Sequence, residues 1–132
     1  VKDMQHMFSG ALVFNGYLAK WDISGVLTLK GMFFNSASFN GDASKRDVSR
    51  VTVMTSMFSS ASSFNSDISM WNVTRVTNMD YMLWKAKSFR QQLYQSPWVN
   101  SRASKVDSMA DLRLIFRLIV WMDIRSINEV RQ

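Results

Sequence analysis

The pair Met-Phe returns every 25 residues, and that period limits the possible folds more than any other feature of the chain. Met7-Phe8, Met32-Phe33, Met57-Phe58 and Met82-Leu83 share this step. So do Val1, Val26, Val51 and Val76, and likewise Phe14, Phe39, Phe64 and Phe89. Asn15, Asn40 and Asn65 form a further column that Arg90 ends. A fixed period between about 20 and 50 residues signals stacked supersecondary units, each covering the apolar face of its neighbour.

Within a unit the apolar positions are Trp71, Val73, Val76, Met79, Met82, Leu83, Ala86 and Phe89. The step of two between Trp71 and Val73 suits a strand, and the later steps of three or four suit a helix. Each unit is therefore expected to be a short strand followed by a short helix, an α/β repeat. Ser24, Ser49 and Thr74 precede the helical steps, where a hydroxyl could cap free backbone N–H groups. The Asn column is expected to form a ladder between units, its side-chain amides bonded to neighbouring backbone. The Met columns (Met4, Met54 and Met79; Met7, Met32, Met57 and Met82) fall on the Val and Phe face and are read as core.

The string from Asp47 to Trp71, continued by Asn72-Val73-Thr74-Arg75-Val76-Thr77-Asn78-Met79, resembles the repeat of the BspA-like surface proteins, the DUF285 family. The resemblance covers roughly residues 1–95. It implies a leucine-rich-repeat-like, right-handed solenoid that binds partners and catalyses nothing, at a cell surface or outside the cell. On this reading residues 1–95 hold a partial first unit and three full ones. Residues 96–132 form an irregular segment and a C-terminal helix. The chain opens in mid-repeat, so a preceding segment or a neighbouring chain is expected to cover that end.

Three stretches depart from the repeat. Arg46 stands where Trp21 and Trp71 stand, and Ser36-Ala37 shifts the small residue found at Ala11, Ala61 and Ala86. Trp84, Lys85, Lys87 and Arg90 replace small and polar residues in the last unit. Beyond Pro97, Ser108-Met-Ala-Asp111 resembles a capping box, and a helix is expected from about residue 109 to 123. Arg113, Arg117 and Trp121 on that helix join Trp84, Lys85, Lys87 and Arg90 as the candidate partner-binding residues. The helix is expected either to cap the stack or to dock on a partner or membrane surface.

The net charge of +6 is uneven: residues 1–74 carry +1 and residues 75–132 carry +5. The basic residues are scattered, so a solvated face is expected and nucleic acid is not. There is no Cys, which excludes disulfides and Cys-based metal sites. His6 is alone in a variable column, and no catalytic triad, Walker loop or HExxH motif is present. Recurring Asp42 and Asp67, with Asp22, Asp47 and Asn72, suit turn capping better than Ca²⁺ binding. No catalytic, cofactor or metal site is therefore expected. The function expected is recognition of a protein, with a glycan as second candidate. The alternative is a structural subunit bridging chains in a larger, membrane or organellar, assembly.

Overall fold

The computed structural model describes residues 1–108 other than 19, 94 and 95. The helix expected over 109–123, with Arg113, Arg117 and Trp121, lies outside the described residues. The period appears as physical stacking. Isolated parallel bridges join Asp3 to Thr28, Thr28 to Val53, Val53 to Asn78, and Asn78 to Ser104. These residues mark five successive coils, called first to fifth below.

The expected α/β strand–helix unit, and with it the leucine-rich-repeat-like right-handed α/β solenoid, is not what the chain forms. The bridges are isolated and build no sheet, and the one helix among the described residues is α1, Ser96–Val99. Backbone hydrogen bonding shows why. The N–H groups of Leu29, Gly31, Phe33 and Asn35 donate upward to the carbonyls of Val53, Thr55, Met57 and Ser59, at 2.9–3.0 Å. Met32, Phe34 and Ser36 instead donate to the carbonyl three residues back, at 3.0–3.1 Å. The third coil repeats this with Met54, Ser56, Phe58 and Ser60 bonded to the fourth. An α-helix would direct every N–H to the residue four before it. Here alternate amides leave the coil, and those between them close single turns. A run of such turns repeats apolar positions at about every third residue, and so imitates helical spacing.

Residues with φ near +60° enforce this pattern. One column comprises His6, Gly31, Ser56, Tyr81 and Asp107, and a second comprises Gly10, Asn35, Ser60 and Lys85. Left-handed backbone ends any helix in progress and costs a non-glycine residue on the order of 1–2 kcal/mol. Gly31 has a second reason to be glycine: a Cβ there would lie 2.3 Å from the His6 ring.

The core is a double column of phenyl rings. Phe14, Phe39, Phe64 and Phe89 stack at 5.8–6.1 Å between centroids. Phe8, Phe33 and Phe58 run beside them at 5.5–5.7 Å. Across the columns Phe33–Phe39 and Phe58–Phe64 are each 3.8 Å apart, nearly parallel. Leu83 ends the second column and is buried. The Met columns are buried except Met7, which is 46% exposed in the first coil.

Polar side chains hold the coil edges. The Oδ1 of Asn15 accepts the Asn40 amide at 2.8 Å, Asn40 accepts that of Asn65 at 2.7 Å, and Asn65 accepts that of Arg90 at 2.8 Å. The ladder is the expected one, although it runs along a largely exposed rim. The hydroxyl caps work the other way round from the expectation. Asp47 Oδ1 accepts both the Ser49 amide and its hydroxyl, and Asn72 does the same for Thr74. The acid or amide caps the turn, and the hydroxyl supports it. Ser36 shifts nothing: it occupies the Ala column, fully buried, and its hydroxyl donates to the Phe8 carbonyl.

The stack continues past residue 95. The Trp98 indole N–H donates to the Ile68 carbonyl at 3.1 Å, as Trp71 does to Ala43 at 2.8 Å. The last bridge spans 26 positions, one more than the others. Asp80 secures this coil by accepting the Ser104 hydroxyl and the Val106 amide. At Arg46 the missing indole leaves an apolar cavity of about 40 Å³ lined by Trp21, Phe33, Phe58 and Trp71. The Arg46 guanidinium reaches the Trp21 carbonyl at 3.0 Å.

Candidate functional site

Tyr81, Trp84 and Lys85 form an exposed aromatic–cationic platform on the fourth coil. The two rings meet edge to face at 6.1 Å, and the Lys85 ammonium lies 4.4 Å above the Trp84 ring. Tyr81 and Trp84 are 40% and 39% exposed. The turn pattern sets the arrangement. Tyr81 and Lys85 hold left-handed backbone, φ +56° and +58°, so their side chains diverge from the buried neighbours Met82 and Leu83. A cation over an indole face is attracted by the ring quadrupole, by roughly 0.5–1 kcal/mol where solvent reaches it.

The other candidates separate. Lys87 is exposed on the same coil, where the repeat carries Leu12, Ala37 and Ser62. Arg90 turns back on its own coil: its guanidinium donates to the carbonyls of Lys87 and Phe89 at 2.7 and 2.9 Å. It ends the Asn ladder and closes that edge. Sequence reasoning missed Tyr81, because its column looked merely variable. Gly31 in that column was the available signal, since glycine recurs where φ is positive.

The recurring acids are occupied with turns. Asp22, Asp42, Asp47 and Asp67 each have a carboxyl held below the ordinary value by a serine two residues on, through its hydroxyl first and its amide second. Ser104 and then Val106 do the same for Asp80. Among the described residues no cluster of three or more His, Asp or Glu could hold a metal ion. No helix among them is long and apolar enough to cross a membrane.

These features define a class of protein: a stack of 25-residue coils built from turns, with an asparagine ladder, a phenyl core and one decorated coil. The chain matches the family described as "Mycoplasma protein of unknown function, DUF285" over residues 1–115, and it belongs to that family. No curated protein and no solved structure matches it.

Proposed function

We propose that this chain is a non-catalytic recognition module that holds a protein partner against the fourth coil. The observation that carries this reading is the Tyr81–Trp84–Lys85 platform. Trp and Tyr are the side chains that most often dominate binding energy at interfaces, and a neighbouring cation adds orientation. Two of the three residues take their outward direction from left-handed positions that recur in the earlier coils, at His6, Gly31 and Ser56 and at Gly10, Asn35 and Ser60. The likeness of the repeats to BspA-like surface proteins supports placing that contact at a cell surface.

The test compares crosslinked partners recovered by the native chain and by Trp84→Ala and Lys85→Ala. Both substitutions are at exposed positions and should leave thermal unfolding nearly unchanged. Loss of a partner in both variants supports the reading. Equal recovery by all three proteins removes it. Protease treatment of intact cells tests the location.

A second reading, a subunit that bridges chains in an assembly, draws on one observation. Leu12, Val13 and Tyr17 in the first coil are 61%, 92% and 80% exposed. Exposed apolar groups gathered on one coil favour burial against another surface. A monomer by size exclusion at high concentration would count against this alternative.

A further inference from the structure

We infer that the cavity between the fourth and fifth coils is a binding site for an acidic saccharide. It is separate from the aromatic platform and does not depend on the function proposed for it. The cavity has a volume of about 580 Å³, and its lining includes Arg75 and Arg102 but no carboxylate. That volume lies within the range of small-ligand sites, roughly 300–1,000 Å³.

The charge arrangement follows from a change in the repeat. Arg50 and Arg75 share a column. In the third coil the Asp47 carboxyl, lowered chiefly by Ser49, is lowered a little further by the charge of Arg50. In the fourth coil the equivalent of Asp47 is Asn72, and in the fifth no acid stands between residues 96 and 104. Arg75 therefore lacks the acid that its predecessor has, and Arg102 adds a second guanidinium at the same mouth. Neither arginine has an ion-pair partner among the described residues. The Lys105 ammonium donates to the carbonyls of the lining residues Ser101 and Ala103 at 2.7 and 3.2 Å. Burial lowers its pKa from an ordinary 10.5. Two guanidiniums on one cavity wall, with no carboxylate in the lining, offer an anion two charge-assisted partners.

The rest of the lining selects the type of anion. The hydroxyls of Thr74 and Thr77 donate to Asn72 and to the Thr52 carbonyl and so can still accept from a hydroxylated ligand, and Val76, Pro97 and Ala103 give an apolar wall against which the C–H face of a sugar ring can lie. Guanidinium pairs grip carboxylate or sulfate oxygens in bidentate fashion. A uronate or sulfated sugar offers all three features, and the space takes one or two rings.

The experiment titrates the full chain with a sulfated uronate disaccharide, followed by calorimetry and by amide chemical shifts. Binding should shift Thr74–Thr77 and Asn100–Ala103. Arg75→Gln and Arg102→Gln should each weaken it by about tenfold, as loss of one charge-assisted pair implies. Lys20→Gln removes an exposed charge elsewhere and should change affinity less than about twofold. Uncharged disaccharide should not bind. Inorganic sulfate that binds as tightly as the disaccharide overturns the saccharide assignment. Absence of shifts at the lining residues, or binding by long polymer alone, overturns the site. Competition by long acidic polysaccharide at these residues identifies polymer as the source, and failure to compete leaves the free sugar acid. Unchanged melting of both variants excludes unfolding as the cause of any loss.

Discussion

Exchanging glycine and non-glycine residues in the left-handed column tests the turn-built coil by the sign of the effect. Gly10 has φ +72° and nothing within 4 Å of where a Cβ would stand, so Gly10→Ala introduces backbone strain without a clash. The left-handed penalty of about 1–2 kcal/mol is partly offset by the reduced entropy of the unfolded chain, about 0.4–1 kcal/mol. A net loss near 1 kcal/mol follows. Ser60, φ +58°, lies in the same column two coils later, and its amide bond to Trp84 at 2.7 Å survives in glycine. Ser60→Gly should therefore stabilise the protein by roughly 0.5 kcal/mol, the strain released less the added freedom of the unfolded chain. In a helix interior both signs reverse: Ala is favoured over Gly by about 1 kcal/mol, and Ser over Gly by several tenths. Urea unfolding followed by tryptophan fluorescence reads the difference as a shift in midpoint at constant slope. A higher midpoint for Gly10→Ala together with a lower one for Ser60→Gly would refute the turn-built coil and restore the helix.

Phe58→Ala should cost about 3–5 kcal/mol, because its fully buried ring contacts three other aromatic rings. Phe8→Ala, at a partly buried ring in the first coil, should cost clearly less; thermal melts of the pair check the gradient. Asn40→Ala removes the acceptor of the Asn65 amide and should lose about 1 kcal/mol, with faster hydrogen exchange at Asn65, while Asn40→Asp keeps the acceptor and most of the stability. Arg46→Trp restores the indole of the repeat beside the 40 Å³ cavity and should raise stability by about 0.5–2 kcal/mol, read as a higher melting temperature. The turn-capping aspartates have carboxyls lowered from an ordinary 3.8, so their contribution is fully present above that value and disappears as pH falls through the lowered folded-state values. Urea midpoints across pH 2–5 should show the fall, and Ser49→Ala should make it shallower by removing the main cause of the shift at Asp47.

Much of the core was legible from residue columns. Stacking, the buried Met and Phe faces and the Asn ladder each follow from a repeat whose equivalent side chains meet their counterparts one coil away. Arg46 and the Trp84–Lys85 region were also visible as departures from an otherwise regular column. The platform's third member was not legible, because the freedom of residue 81 to be Tyr depends on a backbone angle and not on its neighbours in the chain.

The 25-residue period by itself determined that coil lies on coil and which side chains are enclosed, because translation along a stack brings like onto like. Only the tertiary structure decided what each coil is made of. Spacing of about three residues arises equally from a helix and from consecutive turns, and the choice between them rests on where alternate amides find carbonyls. Those carbonyls, at Val53, Thr55, Met57 and Ser59 for the second coil, belong to the next repeat. The pairing that replaces helix and sheet therefore exists only once the coils have met.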